Sequence, residues 1–159
     1  MKFSIATVAA LASAITATAA SLPERFTLVA DDNSAVLTDG QYLYIGNATS
    51  DDQVPVVLTS NSAGALTYLA DGAVPTAFQN LYIVENSVAA VQFTVPHSGN
   101  MPEGANMTGF AVNEDGQLTH GDKAWFAVDG YGDVEEKTVY WYGAHSSEYM
   151  AAYLKVKAA

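Results

Sequence analysis

The sequence predicts an all-β domain. Three observations carry this reading. Short runs of β-branched and aromatic residues recur along the chain, Asp-Gly pairs and Asn/Ser/Gly clusters separate them, and helical periodicity is confined to one short stretch near the end. The first run, 26–29, alternates apolar and polar side chains. Residues 42–45 also alternate if one face is taken as aromatic, with Tyr42 and Tyr44 on one side and Leu43 and Ile45 on the other. Further runs follow at 54–59, 66–70, 81–84, 88–95, 109–112, 125–128, 138–142 and 151–156. Their side chains fit a pleated, half-buried surface.

The punctuation agrees with the runs. Asp-Gly stands at 39–40, 71–72, 115–116 and 129–130, a pair suited to tight hairpins because it accepts positive φ. Asn33-Ser34, 61–64 and 97–100 mark further turns. The tail at 146–154 reads either as a helix, with Tyr149, Ala152 and Tyr153 on one face, or as a final strand. About ten to twelve short antiparallel strands are expected, arranged as a β-trefoil-like barrel or, alternatively, as a β-sandwich. The trefoil is suggested by an internal echo. Tyr42-Leu43-Tyr44-Ile45, Asn80-Leu81-Tyr82-Ile83 and Ala124-Trp125-Phe126-Ala127 begin 38 and then 44 residues apart.

Residues 1–20 read as a secretory leader rather than as part of the fold. Lys2 supplies a positive charge, an uncharged Ala-rich apolar run follows, and Thr18, Ala19 and Ala20 fit the small-residue cleavage rule. Residues 21–159 then form a single domain, and no later stretch is apolar and long enough to span a bilayer. The expected location is extracellular. Asn47-Ala48-Thr49 and Asn106-Met107-Thr108 are N-glycosylation sequons, which places Asn47 and Asn106 at the surface.

Composition excludes several chemistries. With 6 Lys and Arg against 17 Asp and Glu among 159 residues, the net charge is −11. Nucleic acid and anionic membrane surfaces are therefore not expected partners. The chain has no cysteine, which removes thiolate metal sites, iron–sulfur clusters and thiol catalysis. No Gly-x-Ser-x-Gly elbow is present, and His97, His120 and His145 are widely spaced in turn-like contexts, so they read as exposed. The acidic loop 129–136 lacks the EF-hand spacing and reads as a solvated turn, as do Asp31-Asp32 and Asp51-Asp52. A glycosidase pair needs a carboxyl group whose pKa is raised by burial, and only Glu85 lies next to an apolar run. No catalytic residue, metal or cofactor is expected.

The aromatics around Trp141 are the remaining signal. In a strand, Tyr140 and Tyr142 face one side while Val139 and Trp141 face the other. One face is buried, and the other offers flat rings with polar tips on which a sugar could stack. Tyr140, Trp141 and Tyr142 are therefore the candidate carbohydrate-binding residues.

From Arg25 onward the order of elements resembles the phialide-associated (PhiA-like) cell-wall proteins of filamentous fungi. The shared features are an Ala-rich leader before Phe26-Thr27-Leu28-Val29-Ala30, the strand Leu81-Tyr82-Ile83-Val84, and Gly109-Phe110-Ala111-Val112 leading into Asp115-Gly116-Gln117-Leu118. They end with Val139-Tyr140-Trp141 and a closing run near Leu154-Lys155-Val156. The resemblance implies a secreted, glycosylated, non-enzymatic constituent of the fungal wall, with wall polysaccharide or other wall proteins as partners. It brings no catalytic residues with it. The alternative expectation is a secreted carbohydrate-binding module or lectin.

Overall fold

The computed structural model describes residues 20–130, 135–142 and 147–159. The leader, apart from Ala20, lies outside the described residues, as do the middle of the acidic loop and His145. In chain order the first strands are β1 (Arg25–Val29), β2 (Leu37–Thr38), β3 (Leu43–Gly46), β4 (Val54–Pro55), β5 (Val57–Ser60), β6 (Leu66–Tyr68), β7 (Gln79–Val84) and β8 (Ala89–Ala90). They continue as β9 (Gln92–Phe93), β10 (Ala105–Asn106), β11 (Phe110–Val112), β12 (Leu118–His120), β13 (Phe126–Asp129), β14 (Glu136–Trp141), β15 (Tyr149–Ala151) and β16 (Lys155–Ala158). One short 3₁₀ turn, Pro75–Ala77, interrupts them. Among the described residues no helix is long and apolar enough to cross a membrane.

The all-β antiparallel reading holds, with more strands than the expected ten to twelve. The surplus comes from two-residue pieces such as β2, β8 and β9, too short to show any alternation in sequence. One sheet runs β10-β7-β6-β5-β1-β16, with β9 also on β7. A second runs β15-β13-β14-β3-β2-β4, with β8 also on β14, and β11 pairs with β12 as a separate hairpin. Among the described residues no sheet closes into a barrel, so the arrangement fits the sandwich-like alternative. The three echoing segments occupy unequal places. β3 and β13 both flank β14, whereas β7 belongs to the other sheet.

Both sheets turn their apolar faces into one core. Phe26 and Leu28 of β1, Leu81 and Ile83 of β7, Leu43 of β3 and Val139 of β14 are all 0% exposed. The alternation read at 26–29 is thus a strand with Phe26 and Leu28 inward, paired to β5 on one side and β16 on the other. Of the tail at 146–154, the described residues 147–154 hold strand β15 and no helix, and β16 follows directly. Pairing β1 with β16 brings the two ends of the domain together, with Leu28 opposite Val156.

Turn chemistry behaves as expected at three of the four Asp-Gly pairs. In the β11–β12 hairpin the Asn113 amide donates to the Gln117 carbonyl at 3.0 Å and Gly116 takes φ +76°. Asp129-Gly130 differs. Gly130 does not take positive φ, and its amide donates to the Glu148 carbonyl at 2.9 Å, so the pair extends the β13–β15 ladder instead of reversing the chain.

Candidate functional site

Strand β14 separates its aromatics by side. Val139 and Trp141 are 0% and 4% exposed. The Trp141 ring meets Phe126 edge-on at 5.2 Å. Trp141 is therefore core, which corrects its reading as a sugar-stacking residue: the indole is large and apolar, and the inward face of a central strand is where such a side chain loses most contact with water. Tyr140 and Tyr142 point the other way and are half-buried. Their rings pack on Tyr149 of β15, at 5.0 Å and 6.5 Å between centroids.

The register extends this outer face well beyond β14. Thr138 stands opposite Tyr44. Tyr140 stands opposite Ala90. Val91 is fully buried, so Ala90 and Gln92 share the outer side. Gln92 in turn is bridged to Tyr42 and paired with Tyr82. The Tyr82 hydroxyl donates to Gln92 Oε1 at 3.2 Å, which confirms that the two side chains share a face. Tyr42 and Tyr44 lie edge to face at 6.3 Å, with Leu43 between them buried on the opposite side. Six tyrosines (Tyr42, Tyr44, Tyr82, Tyr140, Tyr142 and Tyr149) thus stand on the outward sides of their strands, with ring contacts between Tyr42 and Tyr44 and between Tyr149 and both Tyr140 and Tyr142. Tyr44 and Tyr82 sit deepest, at 9% and 7% exposed.

An acidic group holds Tyr44, one of the two deeper rings, in place. Asp39, in the Asp-Gly turn between β2 and β3, accepts from the Tyr44 hydroxyl at 2.8 Å. It also accepts from the Gln41 and Tyr42 amides at 2.8 and 2.9 Å. Burial works to raise the Asp39 pKa, but the three donors together hold it below the usual carboxylate value. Burial and the Asp39 carboxylate push the Tyr44 phenol well above its ordinary value. At Tyr149, burial and then its neighbours Tyr140, Asp129 and Glu148 act in the same direction. These phenols stay neutral, so the face can donate and accept hydrogen bonds beside apolar rings.

A second feature was not legible as a site in the sequence. Trp125, just before β13, is 42% exposed, and the Lys123 ammonium lies 5.2 Å from its ring centroid. Trp125 lies along a groove of about 180 Å³ with Glu85, Asn86, His120 and Lys123, floored by Ile83 and Trp141. Strand alternation does not find it: alternation would set Trp125 opposite to Phe126, yet the Trp125 ring lies 6.1 Å from Trp141, the ring that Phe126 also meets.

The remaining predicted positions fall out as follows. Asn47 is exposed, and Asn106 is half-buried at the end of β10. The reading of the histidines as exposed holds for His97 but not for His120. The His120 ring is half-buried, edge-on to Phe110 at 5.2 Å and to Trp141 at 5.6 Å, because its strand turns that side chain toward the core rim. Glu85 is exposed, and among the described residues the buried polar side chains are threonines, with no carboxylate. Among those residues no three His, Asp or Glu side chains gather as a metal site. No family model matches this chain, and neither does any curated protein or solved structure.

Proposed function

We propose that this chain is a secreted, non-enzymatic constituent of the fungal cell wall, held against wall polysaccharide by its tyrosine face. The observation that carries the proposal is the packing of Tyr140 and Tyr142 on Tyr149 on the outer side of the second sheet, with the Tyr42–Tyr44 pair turned to the same side. The leader, the sequons and the family resemblance support the location. A sandwich-like rather than trefoil-like fold suits the role, because its open sheet offers one extended surface instead of repeated pockets.

The chemistry of the face matches an extended neutral polysaccharide. Pyranose rings present apolar C–H faces that rest on flat aromatic rings, while their hydroxyls exchange hydrogen bonds with phenol tips. Each such contact is weak, and several along one chain add by raising the local concentration of the next. A strongly acidic protein approaching a neutral polymer gains little from charge, so adsorption should survive high salt. Binding to insoluble β-glucan and chitin at low and high salt tests this. Adsorption abolished by salt would point to an ionic partner and overturn the proposal. The second reading, a lectin with a discrete site, draws on the groove at Trp125 and predicts competition by a short oligosaccharide.

A further inference from the structure

The sequon at Asn106 is tied by hydrogen bonds to two residues that line the groove at Trp125. The Asn106 side-chain nitrogen donates to Glu85 Oε1 at 2.8 Å, and Glu85 lines the groove. Two residues on, the Thr108 carbonyl contacts His120 Nε2 at 2.8 Å, and His120 also lines the groove. Asn106 and Thr108 thus each hold a groove-lining residue without lining the groove themselves. The Asn106 carbonyl oxygen is fixed by the Thr108 amide at 3.0 Å and the Thr108 hydroxyl at 3.3 Å, which leaves the nitrogen directed toward Glu85. Along the groove with Glu85 and His120 lie the exposed indole of Trp125 and the donors and acceptors of Asn86 and Lys123. At the other sequon, Asn47 is exposed just past the end of β3, and its backbone amide donates to the carbonyl of Glu135, which is not a groove residue, at 2.9 Å.

We infer that the groove receives the first N-acetylglucosamine of a glycan carried by Asn106. This rests on the secretion reading, because the glycan is added on that route. Attachment forms a bond from Asn106 Nδ2 to C1 of the sugar and releases the lipid pyrophosphate of the oligosaccharide donor, with loss of one amide proton. The amide proton that remains still serves Glu85. The C–H face of the pyranose rests on Trp125, and its hydroxyl and acetamido groups meet Lys123, Asn86 and Glu85. Lys123 now lies over the indole, and its flexible stem lets the ammonium move aside to a sugar oxygen. The groove is then filled by the chain's own glycan, and outside polysaccharide is left to the tyrosine face.

The test uses the full chain expressed through the secretory route of a yeast host, with sequon occupancy mapped by mass spectrometry. Trp125 and Trp141 are the two tryptophans, and at 42% and 4% exposed only the first is open to acrylamide. Trimming the glycan to a single N-acetylglucosamine should leave Trp125 emission protected, whereas Asn106→Gln and Thr108→Ala should both restore quenching. Thr108→Ala blocks attachment while keeping Asn106 and its bond to Glu85, so a misfolded Asn106→Gln would not obscure the result. Asn47→Gln should change nothing. Equal quenching with and without the Asn106 sugar overturns the inference. A glycan at Asn47 alone overturns it while leaving the secretion reading intact, and a chain with no glycan at either sequon overturns both.

Discussion

Tyr140 and Trp141 are neighbours in the chain and belong to opposite sides of the protein. The Trp141 ring lies 5.2 Å from Phe126 in the core, while the Tyr140 ring lies 5.0 Å from Tyr149 on the outer face. The same strand therefore supplies a residue that holds the fold and a residue available to a partner.

Substitution separates the two roles. Trp141→Ala empties a packed site and should destabilise the protein by about 3–5 kcal/mol, the usual cost of truncating a buried large aromatic. Tyr140→Ala or Tyr142→Ala should cost much less, because the rings are only partly buried. Urea unfolding midpoints measure both. A Trp141→Ala protein as stable as the wild type would contradict the placement of Trp141 in the core.

Gly46 ends β3 at φ +121°, and a Cβ built there would stand 2.1 Å from the Glu135 carbonyl oxygen. Gly46→Ala must move backbone as well as accept a disfavoured φ, so it should lose more than the roughly 1–2 kcal/mol of the conformational penalty alone. Gly72→Ala, at φ +76° with open space around it, should lose only that penalty. Equal losses in thermal denaturation would show that the close approach to Glu135 is absent.

Stability should fall at both ends of the pH scale through the Asp39–Tyr44 pair. Tyr44 has a folded pKa above its unfolded value near 10, so its contribution is complete below that pH and is lost as pH rises beyond it. Asp39 has a folded pKa below its unfolded value near 4, so its contribution is complete above that pH and is lost on acidification. Tm measured from pH 8 to pH 11.5 should drop above about pH 10. Tyr44→Phe should make that alkaline drop shallower, and an unchanged slope would remove Tyr44 from the account.

Much of the fold was legible locally. Phe26 and Leu28 alternate with Thr27 and Val29, and Leu43 alternates with Tyr42 and Tyr44, so sidedness follows from period two. The positive φ at Gly40, Gly72 and Gly116 follows from their Asp-Gly pairs. What no local pattern holds is register. Tyr44 meets Thr138, Gln92 lies between Tyr42 and Tyr82, and Tyr140 packs on Tyr149 only because distant strands pair in one particular alignment. The tyrosine face was accordingly visible only as two separate pairs, Tyr42 with Tyr44 and Tyr140 with Tyr142. Trp141 was grouped with Tyr140 and Tyr142 because alternation divides a strand into two faces without saying which one is buried. The trefoil echo says little about architecture, because aromatic-plus-aliphatic tetrapeptides serve any strand with one buried face, and among the described residues no sheet closes into a barrel.

The most direct measurement is adsorption of the full chain to insoluble β-glucan and chitin, comparing the wild type with a Tyr140→Ala, Tyr142→Ala, Tyr149→Ala triple variant shown by circular dichroism to be folded. The account predicts saturable, salt-resistant adsorption by the wild type and its loss, at least about tenfold, in the triple variant, since three contacts of about 0.5–1.5 kcal/mol act together. A folded triple variant that adsorbs as well as the wild type would contradict the claim that this face holds the polysaccharide.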